Sequence, residues 1–199
     1  MKINYYEQDF PYIVIDNYYT KDEYNSIWEE LNFLCDKSKL ILSKGSATDS
    51  NDRTLKNNHS LYLDTVYNNR SISTILKVNR KLFDNMNEIV RQHPSWFFKN
   101  VKGNIDLTSL SYYEDGERYE KHHDNYVLTS LWWTHRKPKK FDGGDFIFSD
   151  VNEVIEFKDN RMIIFPSMIP HEVTEVIMDE KDLNQKFGRI CLSQFLKFK

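Results

Sequence analysis

The stretch YEKHHDNY (residues 119–126) sets two histidines beside an aspartate. On an extended strand, residues i and i+2 share a face while i+1 points the other way. His122 and Asp124 therefore project together, and His123 projects away. An imidazole nitrogen and a carboxylate oxygen on one face can clamp a single ion. Alone, such a triplet is common, and its ordinary fate is surface hydrogen bonding. A third ligand changes that.

His171 supplies a candidate: it follows the apolar run MIIFPSMIP and opens the alternating segment HEVTEV, so it enters a sheet at the edge of the core. His59 in a polar stretch, His93 before Pro94 and His135 at the head of HRKPKK read instead as solvated side chains. Two histidines and one carboxylate on three faces of an ion leave other positions open, the facial arrangement suited to non-haem Fe(II) and oxygen chemistry. The competing reading of His171 is a core histidine satisfied by hydrogen bonds. In RICLSQF (189–195), Arg189, Cys191 and Ser193 share a face, with a guanidinium and a hydroxyl at opposite ends of the row. A buried arginine needs an anion, and a bidentate carboxylate matches it best. Where no protein carboxylate serves, an acidic small molecule can.

The elements that must hold these residues begin with FPYIVID (10–16), a strand. Thr20 and Glu23 then form a capping box for a helix carrying Tyr24, Ile27, Trp28, Leu31 and Leu34 at helical spacing. Residues 37–60 are polar and read as loop. A second helix is expected from about Ser71 to Val90. From residue 104 the pattern is short strands: NIDLTSLSYY, KHHDNYVLTSLWW, DFIFSD, EVIEF, RMIIFP, EVTEVIM and RICLSQFLKF. The expectation is a mainly β (α+β) fold, a sandwich or small jelly roll with helices packed on one sheet.

Composition sets the outer bounds. With 199 residues, 40% apolar, 15% aromatic, 6 Gly and 5 Pro, the chain reads as one folded domain over 1–199. Residues 1–103 would supply a strand and supporting helices, and 104–199 the strand-rich core. A net charge of −3 gives no global basic field for nucleic acid or an anionic membrane. No apolar run approaches the roughly 18 residues of a membrane span, and MKINYYEQDF lacks a signal-peptide core. Cys35 and Cys191 have no metal-like pairing, so reduced thiols and a soluble, cytoplasmic protein are expected.

Taken in order, YEDGERYEKHHD (113–124), FDGGDF (141–146), FPSMIPHEV (165–173) and GRICLS (188–193) resemble the Fe(II)/2-oxoglutarate-dependent dioxygenases, in their prolyl 4-hydroxylase-like branch. The resemblance covers about half of the chain. It implies a double-stranded β-helix, with His122, Asp124 and His171 holding iron. Arg189 would bind the distal carboxylate of 2-oxoglutarate, with Ser193 assisting, and these four larger groups would form the catalytic set. Tyr113 fits the co-substrate tyrosine, with Tyr112 as the alternative. Trp133, in LTSLWWTH (128–135), falls where relatives carry an aromatic near 2-oxoglutarate. His171 and Arg189 are 189 − 171 = 18 residues apart, and DEKDLNQK (179–186) reads as a long hairpin loop between them.

By the same resemblance the cofactors are Fe(II), 2-oxoglutarate as co-substrate and O2, and the family admits ascorbate. The implied reaction is hydroxylation of a peptide or protein substrate at a prolyl residue, with 2-oxoglutarate converted to succinate and CO2. A free amino acid or small metabolite is the alternative substrate, and a non-catalytic jelly-roll binding domain the alternative class. Asp124 argues against halogenase chemistry, which lacks that ligand. Phe195 stands where nucleic-acid demethylases of the superfamily carry a second arginine, so nucleic acid is not the expected substrate. HRKPKKFD (135–142) is expected near the mouth of the site, and SKGSATDSNDRTLKNNHS (43–60) as a lid.

Overall fold

The computed structural model describes residues 1–42, 47–49 and 51–199. Strands β1 (Lys2–Tyr6) and β2 (Tyr12–Asp16) pair antiparallel and lead into α1 (Lys21–Leu34). The capping box is formed: Glu23 N donates to Thr20 Oγ1 at 3.3 Å, and Thr20 N donates to Glu23 Oε2 at 2.8 Å. The helix buries Ile27, Leu31 and Leu34, one stripe of its surface.

Residues 37–60 are not all loop. They contain β3 (Ile41–Leu42), β4 (Lys56–Asn57) and the start of β5 (His59–Tyr62). Residues 43–46 and 50 of the expected lid lie outside the described residues; Leu55 beside them is tied in, its carbonyl accepting from Glu120 N at 2.8 Å. The expected helix from Ser71 to Val90 is broken into a 3-10 turn (Arg70–Ile72) and three short helices. After α2 (Leu63–Val66) these are α3 (Thr74–Asn79), α4 (Lys81–Asp84) and α5 (Met86–Ile89), followed by α6 (Trp96–Asn100). The breaks fall where polar side chains prefer other partners to a continuous helix. Ser73 caps α3 by accepting from Leu76 N, and buried Asn79 bonds Tyr19 and Thr108.

The rest is strand: β6 (Ile105–Tyr113), β7 (Arg118–His122), β8 (Leu128–His135), β9 (Phe141–Gly143), β10 (Phe146–Phe148), β11 (Glu153–Ile155), β12 (Arg161–Pro166), β13 (His171–Val173), β14 (Val176–Met178) and β15 (Arg189–Lys197). They make an eight-stranded sheet, β1-β2-β12-β8-β15-β6-β5-β3, a five-stranded sheet, β11-β10-β13-β7-β4, and a β14-β9 pair. This is the jelly-roll arrangement, with N-terminal strands extending both edges of the larger sheet.

Three apparent continuities of the sequence are sheet crossings. KHHDNYVLTSLWW is two strands, because the chain leaves the smaller sheet at His122 and joins the larger one at Leu128. EVTEVIM is split between β13 and β14, and DEKDLNQK joins strands of different sheets, so it is no hairpin loop. Consecutive residues of the large sheet face two cores. One, between sheet and helices, holds Ile27, Leu31, Leu110, Trp132, Ile190 and Leu192. The other, between the sheets, is aromatic, with Tyr113, Trp133, Phe146, Phe148 and Phe165.

Candidate metal centre

Antiparallel pairing of β7 with β13 sets His122 directly opposite His171. Each ring is oriented from behind: the Nδ1 atoms lie 2.8 Å from Glu120 O and 2.9 Å from Ile169 O. An Nδ1–H donated to a carbonyl leaves the Nε2 lone pair free for a ligand role. Both Nε2 atoms face Asp124, at 3.8 Å from His122 and 3.6 Å from His171. One ligand atom from each of the three residues lies within 4.8 Å of the others. Burial, then the neighbouring His171, pushes His122 down to about 3, and burial lowers His171 as well. Both rings are thus neutral, as metal ligands must be.

Asp124 lies beyond the end of β7, yet side-chain alternation persists and His123 is exposed. The extended backbone is held by Asp124 N, which donates to Ser167 O at 2.9 Å. Thr129 Oγ1 donates to Asp124 Oδ2 at 2.8 Å and also meets Ser167 Oγ at 2.8 Å. Tyr119 stacks on His122 with centroids 3.5 Å apart, and Phe146 and Phe165 flank His171.

The same cavity runs inward to Arg189, which is 0% exposed. Its Nε donates to Gly144 O at 2.6 Å, while Nη1 and Nη2 have no partner among the described residues. The guanidinium lies over Tyr113, Trp133 and Phe157 at 5.2, 5.4 and 5.5 Å from their centroids. The Gly-Gly turn makes this approach possible. A Cβ at Gly144, which has φ +69°, would stand 2.7 Å from Arg189 Cδ, and one at Gly143 would stand 2.1 Å from Glu175 O. Two neutral imidazoles and a carboxylate fit a divalent transition metal. An unpaired, buried guanidinium in the same cavity fits a carboxylate ligand, because an uncompensated charge there is costly.

Of the residues singled out by sequence, His122, Asp124, His171, Arg189, Tyr113 and Ser193 share this cavity. Tyr112 does not: its hydroxyl donates to Glu114 Oε1 at 2.6 Å on the helix side. Trp133 stands behind Arg189 against Phe146 and Phe157, and Leu131 lines the cavity in its place. No residue of HRKPKKFD lines the cavity; Lys137 and Lys140 pair with Asp159 and Asp182. The three histidines expected to be solvated are all packed inside. His93 is 0% exposed between Tyr6 O and Ser95 N, His135 is buried, and His59 is half-buried against Glu117. Lys56, Tyr62 and Tyr126 also line the cavity and are not among the residues singled out by sequence. Lys56 and Tyr62 come from the stretch around the expected loop, where no local pattern marks them.

A model of the 2OG-Fe(II) oxygenase superfamily matches residues 108–196. Among solved structures, the chain is similar to a Pseudomonas putida prolyl-4-hydroxylase, with TM-score 0.66 and 13% identity over 94% of this chain and 92% of that one. It is also similar to the viral collagen prolyl hydroxylase of Paramecium bursaria Chlorella virus-1 in its 2OG complex, with TM-score 0.56 and 15% identity over 92% of this chain and 94% of that one. At these identities the likeness is one of fold. No curated protein matches the sequence significantly.

Proposed function

We propose that this chain, which belongs to the 2OG-Fe(II) oxygenase superfamily through residues 108–196, hydroxylates a peptidyl substrate at a prolyl residue. Succinate and CO2 from 2-oxoglutarate would be the co-products. The observation that carries the reading is the pairing, in one cavity, of a His-Asp-His triad with a buried arginine whose two terminal nitrogens are unpaired. The fold likeness to prolyl hydroxylases supports the peptide as substrate class.

Iron, when bound, supplies the dioxygen and one-electron chemistry. His122 and His171 would hold it through Nε2, and Asp124 through its carboxylate, kept in place by Thr129. Arg189 would take the distal carboxylate of 2-oxoglutarate, a bidentate match for Nη1 and Nη2. Ser193 and Tyr113 add hydroxyls along the same wall, and Trp133 supports the guanidinium from behind. Ascorbate belongs to the proposal as an auxiliary reductant. Residues 1–199 would act as one catalytic unit, since β1, β2, β3 and β5 lie in the same sheet as β15. Among the described residues no helix is long and apolar enough to cross a membrane. Two buried free thiols, Cys35 and Cys191, support a cytoplasmic setting.

The test is succinate release from 2-oxoglutarate after anaerobic loading with Fe(II) and admission of oxygen. Release dependent on both additions is expected. Failure to bind iron and 2-oxoglutarate when both are supplied overturns the reading.

A further inference from the structure

Lys56 is a cation inside the cavity that the triad and Arg189 do not use. It is held there by β4, where Lys56 pairs with Tyr119 of β7, three residues before His122. Its Nζ lies 5.3 Å from the Tyr119 ring centroid, and that ring stacks on His122. Among the described residues the Lys56 ammonium makes no ion pair. The carboxylate that acts on it electrostatically is Asp124, which the metal reading assigns to the ion.

Formal charge then identifies what is missing. A divalent ion, the Asp124 carboxylate, a dicarboxylate co-substrate and the Arg189 guanidinium cancel one another. The Lys56 ammonium is left over, partly desolvated, on the same cavity wall as the metal ligands. Besides Tyr119, the cavity it enters is lined by Tyr62, Tyr126 and Phe195, the last two stacked at 4.5 Å. An unpaired ammonium in a cavity with aromatic walls favours a carboxylate attached to an apolar body.

We propose that Lys56 is the substrate-recognition residue of this site and that it binds a carboxylate of the substrate. The inference rests on the oxygenase reading above and narrows it to acidic substrates. The carboxylate can come from an aspartate or glutamate side chain near the hydroxylated residue, or from the main-chain carboxylate of a C-terminal or free proline.

The experiment uses the full chain loaded anaerobically with Fe(II) and 2-oxoglutarate. Its probes are N-acetylated proline-centred pentapeptides that differ only in Glu, Gln or Lys beside the proline, each as amide or free acid, together with free L-proline. Binding is followed by the change in the visible absorption of the iron–co-substrate complex and in protein fluorescence. Wild type is expected to bind a carboxylate-bearing probe about tenfold more tightly than its neutral counterpart, the size of one charge-assisted hydrogen bond. Lys56→Arg should keep the preference, Lys56→Gln should abolish it, and Lys56→Glu should transfer it to the lysine peptide. Affinity for 2-oxoglutarate should stay within about twofold throughout. A preference confined to glutamate peptides assigns the carboxylate to a side chain, and one confined to free acids assigns it to the main chain. Equal binding of charged and neutral probes by wild type, binding of none, or an unchanged preference in Lys56→Gln overturns the inference while leaving the oxygenase reading intact. A wild type in which the iron–co-substrate band never forms overturns both.

Discussion

The two faces of the eight-stranded sheet bury polar groups to opposite ends. On the helix face of β15, Gln194 Nε2 donates to Asp106 Oδ2 at 2.8 Å and to Asn79 O at 3.2 Å. Asp106 also pairs with Arg70 and Arg80 at 2.8 and 2.6 Å, so charge there is closed within the protein. On the other face, five residues away along the strand, Arg189 keeps one contact to Gly144 O and leaves two nitrogens unpaired. Burial is the same, but on the helix face the Asp106 charge is paired and only the neutral Gln194 Oε1 lacks a partner, whereas the Arg189 guanidinium charge is left unpaired. A buried polar group with no partner costs free energy, so the difference separates contacts that hold the fold from contacts that await a ligand.

The sharpest way to break this comparison is to alter the metal centre and the helix face separately. Asp124→Ala should abolish iron binding and turnover while far-ultraviolet dichroism stays native, because its neighbours on the fold side keep their bonds. His123→Ala, at an exposed side chain, should leave iron binding intact; equal loss in the two variants would sink the assignment. On the helix face, Leu192→Ala should lower unfolding free energy by about 2–5 kcal/mol, the usual cost of a cavity at a fully buried leucine. Iron affinity should not move, and a denaturant titration beside a metal titration reads both.

Arg189→Met sharpens the comparison further. It should raise the KM for 2-oxoglutarate about a hundredfold, near 2.7 kcal/mol, as expected for a buried bidentate pair. In the absence of co-substrate the variant should be as stable as wild type or more so, since it removes an uncompensated buried charge. A fall in apo stability comparable to that of Leu192→Ala would show that Arg189 is structural.

How far these contacts are legible in sequence depends on how local they are. The capping box at Thr20 and Glu23, the strand runs and the alternation of Arg189, Cys191 and Ser193 are set within a few residues, and sequence patterns reveal them. The pairing of His122 with Asp124 is legible from strand alternation although the strand stops at His122, because a backbone bond from Asp124 to Ser167 preserves the alternation past the strand end. Sheet crossings at 123–127 and 174–175 carry no periodic break, because strands of both sheets face the same aromatic core. His93 is buried by a carbonyl 87 residues away, and Lys56 reaches the cavity only through pairing with β7. Neither position leaves a mark in its own neighbourhood.

One contact on the fold side depends on a proton, and it offers the smallest test. Glu117, buried at the β6–β7 connection, lies with Oε1 2.9 Å from His59 Nδ1. Burial raises the Glu117 carboxyl to about 7, against opposing effects of the Glu114 amide and Lys37, while burial and Lys37 lower His59. Both directions favour the neutral pair, and the 2.9 Å contact is a proximity only, since His59 Nδ1 has no hydrogen-bond partner among the described residues. Because the folded pKa exceeds the ordinary 4.5, the native state binds more protons than the unfolded chain between about pH 4.5 and 7. Glu117 therefore costs stability progressively as pH rises through that window, while the lowered His59 contributes the opposite slope below its ordinary 6.5. Glu117→Gln removes the first effect alone and keeps a hydrogen-bonding side chain beside His59. Relative to wild type, its Tm should gain a few degrees from pH 5 to pH 8, on the order of 1 kcal/mol after solvent screening. A difference that stays constant with pH would mean that the pair is charged.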